Sequence, residues 1–396
     1  MQRGTNIVYA VLFVLACALP LAGLVAPGLD PAPALNEKRE PAPAPDLAAL
    51  APADVPAATD AWFDDHFGFR NLLVRLNGLF RYRVFNASSS GQVLPGRDGW
   101  LFYDSTGYRG GEPRANHMGE LPARHEELFR RLKEQFEYND AWFAARGMTY
   151  VIVIAPDKWS VHPELLPGTV TGAPARTSGD LFLDYLRAET DLKIVDLKPV
   201  LRERSRDLGP LYYRLDSHWN ELGAWLASAE IRRQLHGWDP RVPLLEPAVP
   251  TVVRREKRTG DLAALMGLEG WLREDVPVVG DDLRPRLTVT ELPVPANRNQ
   301  HRTPLDIRQD RPELPRLLVL RDSFGDALWP FVSGGFSRSR WVWTSNLPAD
   351  PQPVFDEVAP DIVIEERVEK YLMFPVRYFT APGRAAVVAP DHRKRR

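Results

Sequence analysis

Cysteine is almost missing from this 396-residue chain: its single cysteine is Cys17, inside an N-terminal stretch without charges. One cysteine excludes an intramolecular disulfide, and it leaves the rest of the chain without cysteine-based metal sites or thiol chemistry. An excess of charge is missing too, because 50 Lys and Arg face 52 Asp and Glu for a formal net charge of −2. Without a positive field to collect phosphates, we expect no nucleic-acid partner. The terminal segment 386–396 carries a basic run and is interpreted as a solvated tail.

Charged side chains are also missing from residues 7–27, and Arg3 precedes them. A stretch of about 20 uncharged residues is long enough to cross a bilayer as a helix, and a preceding basic residue agrees with the positive-inside tendency. We therefore predict that residues 1–28 form an N-terminal transmembrane helix. Two alternatives stay open: a signal peptide cleaved near Ala22, or a lipoprotein signal around Cys17. In each case the bulk of the chain is exported.

Proline and alanine dominate the next segment, residues 29–59. Such a segment is extended and semi-rigid, and it cannot bury enough apolar surface to fold. We interpret it as a linker that holds the globular part away from the membrane. The globular domain is predicted to span residues 60–385.

Short apolar runs alternate with amphipathic segments through this globular part. The apolar runs lack polar alternation, as is typical of strands covered on both faces, and the amphipathic segments have helical spacing. The predicted strands are 149–156, 193–197, 317–320 and 362–364, and the predicted helices are 72–80, 121–145, 181–187, 222–235 and 324–331. Residues 240–303 show no clean period and are interpreted as an insertion with short strands. This order predicts an α/β fold around a mainly parallel sheet.

A serine stands just beyond one of these strands. The run Leu317–Leu320 is followed by Arg321, Asp322 and Ser323, and then by a predicted helix. The sequence leaves two interpretations of Ser323 open. It is either a helix N-cap, whose hydroxyl satisfies a free N–H, or a nucleophile beside N–H groups that stabilise an oxyanion.

A carboxylate and an imidazole lie two residues apart, at Asp216 and His218. On an extended backbone both side chains point to one side, where the carboxylate can fix the imidazole tautomer. If folding brings them to Ser323, the three have the parts of an activated acyl-transfer nucleophile. A metal site is the alternative for the Asp-x-His pair, although no convincing third ligand stands nearby. We expect neither a metal nor a cofactor.

Six segments in one order resemble the alginate O-acetyltransferase family of the AlgJ/AlgX type, whose domain is SGNH-hydrolase-like. They are residues 65–70, 96–102, 156–158, 212–220, 321–324 and 360–364. The resemblance runs from about Asp60 to Leu372, and it is closest to the shorter, AlgJ-like members, without a carbohydrate-binding module after Arg377. It implies an SGNH-hydrolase-like three-layer sandwich with a mainly parallel central sheet, behind the N-terminal transmembrane helix.

The resemblance also implies roles. Ser323 becomes the nucleophile, His218 the base and Asp216 its orienting carboxylate, in an Asp–His–Ser order that this family shows. Such proteins act in the periplasm, where a membrane-bound O-acyltransferase supplies the acetyl group and hydroxyls of an exported polysaccharide, alginate or similar, accept it. Tyr213 and Trp219 are candidates for stacking on sugar rings, with a core role open for each.

Other charged residues near these motifs have weaker assignments. Arg321 is a further substrate-binding candidate, although a surface charge on a loop is the alternative. Glu365, Glu366, Glu369 and Lys370 follow the last predicted strand at its carboxyl end, where α/β sheets place their sites. Two interpretations are open for them, a substrate contact by one of the four or a solvated face, and the solvated face is favoured. Glu369-Lys370 stands where the family more often has an arginine as the basic member.

Two other functions use the same features. An esterase or polysaccharide deacetylase has the same triad, with water in place of the sugar hydroxyl, so that acceptor binding and water exclusion separate the two. A non-catalytic polysaccharide-binding component of an export complex is the third hypothesis. Such a binder needs none of the three triad residues.

Overall fold

In the computed structural model, the described residues are 2–35, 41–104, 108–109, 112–113, 125–168, 176–246, 249–280, 283–294, 302–348 and 351–372. The predicted basic tail at 386–396 and the first residues of the helix predicted at 121–145 lie outside them. The chain folds as two compact units, Met1–Pro95 with Thr259–Arg273 and Gly96–Arg258 with Glu274–Arg396. The domain limits predicted at residues 28, 59 and 385 stay predictions.

The secondary structure of the described residues alternates strands and helices through the second unit. The helices are α1 (Gln2–Val25), α2 (Val55–His66), α3 (Arg70–Phe85), α4 (His125–Ala144), α5 (Lys158–Val161), α6 (Ser178–Glu189), α7 (Lys198–Leu208), α8 (Glu221–Trp238), α9 (Asp261–Leu265), α10 (Trp329–Val332) and α11 (Gln352–Val358). The strands are β1 (Val93–Pro95), β2 (Leu101–Tyr103), β3 (Tyr108–Arg109), β4 (Glu112–Pro113), β5 (Thr149–Ala155), β6 (Ile194–Asp196), β7 (Val252–Arg258), β8 (Glu274–Val279), β9 (Thr288–Glu291), β10 (Leu305–Arg308), β11 (Arg316–Arg321), β12 (Arg338–Trp343) and β13 (Ile362–Val368).

The first unit contains α1, where the sequence predicts the membrane anchor. Among the described residues, no helix combines the length and the apolar character needed to cross a membrane, so the predicted transmembrane helix is not found. Within this unit Arg75 is buried and donates from Nη1 to the carbonyls of Gly267 (2.9 Å) and Glu269 (3.0 Å). These bonds tie α3 to the turn that follows α9.

The second unit is built on a seven-stranded sheet in the order β6-β5-β13-β11-β12-β10-β9. The first five strands run parallel, while β10 is antiparallel to β12 and β9 to β10. The α/β fold with a mainly parallel sheet is therefore confirmed, and the sheet is mixed because β9 and β10 add an antiparallel edge. The sequence missed β12, since Arg338 and Arg340 interrupt its apolar pattern.

Both faces of this sheet are covered. On β5, Tyr150, Ile152 and Ile154 join the apolar cluster that includes side chains of α4 and α6. The alternate residues Val151 and Val153 are buried as well. The unbroken apolar run that predicted this strand thus reflects burial on two sides, as in layered α/β proteins.

The segment after β11 differs from the single helix predicted for residues 324–331. It begins as a 3₁₀ turn, Ser323–Ala327, and continues as the short helix α10. Pro330 has no N–H to donate to the carbonyl four residues before it, so a continuous α-helix is interrupted there. Because β5, β11 and β13 are parallel, their carboxyl ends meet at one edge of the sheet, where such folds place their sites.

Candidate active site

Folding brings the three predicted catalytic residues together. Asp216 Oδ1 lies 2.7 Å from His218 Nδ1, and His218 Nε2 lies 2.8 Å from Ser323 Oγ. The main-chain N–H of His218 also donates to Asp216 Oδ1 over 3.0 Å. The side chain of Asp216 is buried, while that of His218 keeps 25% of its surface exposed. The site thus joins a shielded carboxylate to an imidazole and hydroxyl that a substrate can reach.

Electrostatic interactions determine which atoms of Asp216 and His218 carry protons. Burial alone raises the pKa of Asp216, but the hydrogen bonds and charge of His218, with the nearby Arg258, outweigh burial and hold that pKa well below its usual range. Asp216 is therefore ionised and accepts the proton of His218 Nδ1. That tautomer leaves Nε2 as the acceptor for the hydroxyl of Ser323, which is the arrangement that activates a serine.

The N-cap of the turn after β11 is Asp322. Its Oδ1 accepts from the N–H of Phe324 (2.9 Å), and its Oδ2 accepts from the N–H of Val368 (2.8 Å) at the end of β13. The capping role that the sequence left open for Ser323 is thus filled by its neighbour. The Ser323 hydroxyl is directed to His218 instead.

The loop that carries Asp216 and His218 is closed by its own main chain. Tyr212 and Trp219 form an isolated bridge, and the N–H of Tyr213 donates to the His218 carbonyl over 3.1 Å. Asn220 then caps α8, because its Oδ1 accepts from the N–H of Gly223 over 3.0 Å. The asparagine two residues after the histidine therefore has a structural role.

Comparison with known proteins shows the family of the chain. The family model described as "SGNH hydrolase-like domain, acetyltransferase AlgX" matches residues 93–293, half of the chain. The chain belongs to this family. The matched range contains Asp216 and His218, whereas Ser323 lies beyond it, so the placement of the serine beside His218 rests on the structure.

Among curated proteins the chain is similar to the probable alginate O-acetylase AlgJ of Pseudomonas aeruginosa, with 27% identity over 226 residues, 56% of this chain and 52% of that protein. The chain thus spans about half the length of that relative. The probable alginate O-acetylase AlgJ of Pseudomonas putida is 24% identical over 334 residues, 80% of this chain and 79% of that protein. Among solved structures, Bacillus cereus PatB1 covers 72% of this chain and 99% of its own, with a TM-score of 0.50 and 14% identity. That likeness shows the fold alone.

In this member of the AlgX acetyltransferase family, a further residue contacts the triad. Arg258 Nη2 lies 3.3 Å from Asp216 Oδ2, and its guanidinium lies 4.3 Å from the centre of the Tyr213 ring. Sequence reasoning missed Arg258, because it ends a strand rich in charged residues inside the segment interpreted as an insertion. No local pattern marks it.

The three predicted substrate-binding residues are all buried. Trp219 is 1% exposed and meets Phe324 edge-on with ring centres 5.0 Å apart, and Tyr213 is 8% exposed under Arg258. Arg321 is 2% exposed, and its Nη1 pairs with Asp326 Oδ1 at 2.6 Å. Arg321 is therefore not the surface charge considered as its alternative, and core roles are favoured for Tyr213 and Trp219. Direct substrate contact by the three stays a prediction.

The solvated face predicted for Glu365, Glu366, Glu369 and Lys370 is wrong, because the first three are buried and the Lys370 side chain is only 10% exposed. Glu369 is 1% exposed and accepts from Thr177 Oγ1 (2.6 Å), Lys198 Nζ (2.7 Å) and the N–H of Asp157 (3.1 Å). Its carboxylate joins the loops that follow β5 and precede α6. Burial alone lowers the pKa of Lys370, but Asp157 and other anionic neighbours outweigh it and raise that pKa, so Lys370 carries its charge.

A buried acid beneath the nucleophile predicts a measurable pH effect on stability. Glu366 is 1% exposed and accepts from the N–H of Asp322 over 3.0 Å. Burial and then the charge of Asp322 raise its pKa well above the usual range. A raised folded-state pKa gives stability that is complete below the unfolded value, about 4.3, and is lost as pH rises through the folded value.

We expect Glu366→Gln to remove that loss, because the amide keeps a donor and an acceptor but does not ionise. The measurement is chemical denaturation at several pH values. The free energy of unfolding of the variant, relative to that of the wild type, should increase as pH rises from about 5 to 9. Glu203→Gln, at an exposed position of α7, is the control and should follow the wild type. Parallel pH profiles for Glu366→Gln and wild type would contradict the buried, neutral acid.

Proposed function

We propose that this protein is an O-acetyltransferase that moves acetyl groups onto hydroxyls of a polysaccharide through Ser323, His218 and Asp216. The observation that carries the proposal is the hydrogen-bonded chain from Asp216 through His218 to the hydroxyl of Ser323, with its 2.7 and 2.8 Å steps. Similarity to proteins named as alginate O-acetylases supports acetyl as the group and a polysaccharide as the acceptor.

The reaction has two half-steps that share one base. His218 Nε2 takes the proton of Ser323 as Oγ attacks the acetyl carbonyl, and the same proton is then given to the leaving group. An acetyl ester on Ser323 remains. A sugar hydroxyl next gives its proton to His218 and attacks that ester. His218 passes the proton to Oγ of Ser323 as the ester bond breaks, which regenerates the serine and forms the acetylated sugar. In both tetrahedral intermediates Asp216 balances the charge of the imidazolium.

The oxyanion of these intermediates needs N–H donors. The N–H of Phe324 is taken by Asp322, whereas that of Ser323 has no hydrogen-bond acceptor among the described residues. We assign the Ser323 N–H to the oxyanion. A second donor completes such a hole in related chemistry.

The cellular compartment and the partners of the reaction are proposed from the sequence. The uncharged N-terminal stretch favours export, so we place the reaction in the periplasm, with the chain held at the inner membrane or released by cleavage. A membrane-bound O-acyltransferase would supply the acetyl group, and an exported polysaccharide such as alginate would accept it. The mechanism requires no cofactor.

Partition of the acetyl group tests the transferase against its alternatives. The full-length chain is given a chromogenic acetyl ester with and without alginate oligosaccharides, and free acetate and acetylated oligosaccharide are measured together. We expect acetyl-oligosaccharide to form at the expense of acetate. Release of acetate that is indifferent to the oligosaccharide would indicate an esterase. Binding of the oligosaccharide without turnover of the ester would indicate a binding component.

A further inference from the structure

A buried lysine binds main-chain carbonyls of the catalytic loop, the segment 212–219 that carries Asp216 and His218. Lys158 follows β5, is 3% exposed, and directs Nζ at three carbonyl oxygens: those of Leu101 (2.5 Å), Arg214 (3.0 Å) and Asp216 (2.9 Å). An ammonium group has three N–H donors, so these carbonyls use all of them. The last of the three belongs to the residue whose carboxylate orients His218.

Two aromatic rings also lie near this ammonium. The ring centres of Trp100 and Phe102 lie 5.0 and 5.2 Å from Lys158 Nζ, within the range of cation–π attraction. The strand β2, which contains Phe102, is itself joined to the catalytic loop, because the N–H of Leu101 donates to the Arg214 carbonyl over 2.9 Å. Lys158 therefore joins the catalytic loop to β2.

A buried carboxylate accepts hydrogen bonds from main-chain N–H groups of the same loop. Glu274, the first residue of β8, is 7% exposed; its Oε2 accepts from the N–H of Arg214 and its Oε1 from that of Leu215, each over 2.7 Å. The stretch 214–216 is thus held by a cation through the carbonyls of Arg214 and Asp216. An anion holds it through the N–H groups of Arg214 and Leu215. Charged partners make such hydrogen bonds short and strong.

We infer that Lys158 and Glu274 are positioning residues for the Asp216–His218 pair. A buried cation is costly unless its donors are satisfied. Here two of them bind the loop that places the carboxylate of Asp216, and the third binds Leu101 on the adjoining strand β2. This inference rests on the proposed function of the triad. It also gives a role to the Pro-Asp-Lys segment at 156–158, which the catalytic steps leave unused.

Loss of the contacts from Lys158 or Glu274 has a specific consequence for catalysis. If the main chain at Asp216 relaxes, its carboxylate moves away from Nδ1 of His218. A misplacement of about 1 Å at a catalytic group costs on the order of 10²-fold in rate. Loss of a neighbouring anion also lowers the pKa of an imidazole. A variant that only destabilised the fold would change neither the pH profile nor kcat at temperatures where it stays folded.

The chain offers a matched control in Arg232. This residue is also a buried cation (5% exposed) that binds three main-chain carbonyls, those of Pro243 (2.8 Å), Leu244 (3.0 Å) and Phe331 (3.4 Å). None of these carbonyls belongs to the catalytic loop. Arg232→Met therefore reproduces the loss of a buried, carbonyl-bound cation without touching Asp216.

The test compares Lys158→Met, Glu274→Gln and Arg232→Met in the full-length chain, with chromogenic acetyl ester hydrolysis measured across pH below each thermal midpoint. For Lys158→Met we expect kcat to fall on the order of 10²-fold, KM to stay close to wild type, and the acidic limb of the profile to move to lower pH. Glu274→Gln should shift in the same direction, and it decides the matter if Lys158→Met does not fold. Arg232→Met should lose thermal stability and keep the wild-type profile.

Two results would overturn the inference. One is a folded Lys158→Met or Glu274→Gln variant with the wild-type kcat and pH profile; the other is the same kinetic change in Arg232→Met. If the wild type itself hydrolyses no ester, the proposed function fails, and proton NMR of the hydrogen-bonded Nδ1–H of His218 decides the positioning role separately. Loss of that signal in Lys158→Met and its retention in Arg232→Met supports the inference, and retention in both overturns it.

Discussion

Ser323→Ala is expected to lower kcat for acetyl ester turnover by on the order of 10³-fold or more, while binding of ester and polysaccharide persists. The hydroxyl lies 2.8 Å from the imidazole nitrogen that takes its proton, and the alanine variant has no atom on which an acetyl ester can form. Removal of a triad nucleophile leaves only the residual catalysis of the oxyanion donors and of binding. The measurement is steady-state hydrolysis with oligosaccharide binding measured in parallel.

The fold should tolerate this change, because Asp322 rather than Ser323 caps the turn. Ser205→Ala, in α7, is a suitable control, since that hydroxyl donates to the carbonyl of Arg202 in its own helix, and it should keep full activity. Retention of more than about a tenth of wild-type kcat by a folded Ser323→Ala protein would exclude the serine as nucleophile.

Asp216→Asn is expected to reduce kcat by roughly 10³- to 10⁴-fold, with a smaller effect on KM. The amide no longer enforces the tautomer that carries its proton on Nδ1, and it gives the imidazolium no opposite charge. The two side chains, 2.7 Å apart, would then lose the attraction between a carboxylate and an imidazolium, and Arg258 would lose its anionic partner. Asp239→Asn, which removes a carboxylate paired with Arg241 on the surface, should leave kcat unchanged.

The same variant changes the dependence of stability on pH. The folded-state pKa of Asp216 is depressed, so its contribution to stability is present above the unfolded value, about 3.9, and is lost as pH falls through the folded value. Asp216→Asn should therefore lose less stability than wild type on acidification below about pH 4. Equal kcat in Asp216→Asn and wild type would contradict the orienting role, whatever the stability data show.

Local chemistry in the sequence was sufficient to predict three side chains that the structure places within hydrogen-bond distance of one another. A carboxylate stands two residues before an imidazole, and a serine stands at the end of an apolar run. Each pattern had one alternative, a metal site or a helix N-cap, and the structure joins the two across 105 residues of chain. The four predicted strands were found because burial on both faces leaves an unbroken apolar run. The broken helix after Ser323 was also within reach, since Pro330 forbids a continuous one.

Other parts of the site lie beyond sequence reasoning, because their roles depend on distant partners. Arg258 and Glu274 stand in a segment without period, and only the fold brings them to residues 213–216. Glu369 and Glu366 read as a solvated face although they are buried, since nothing in their own segment shows the N–H groups and cations that satisfy them. Trp219 has the composition of a sugar platform and the surroundings of a core residue.

Direct detection of the acyl-enzyme is the sharpest test of the proposed reaction. The wild type is mixed with chromogenic acetyl ester, quenched in acid within the first turnover, and digested for mass spectrometry. We expect the mass of one acetyl group on the peptide that carries Ser323, at a level that falls when alginate oligosaccharides are present and acetyl-oligosaccharide appears. Turnover without acetylation of that peptide, or acetylation that persists equally in Ser323→Ala, would contradict a covalent mechanism at Ser323.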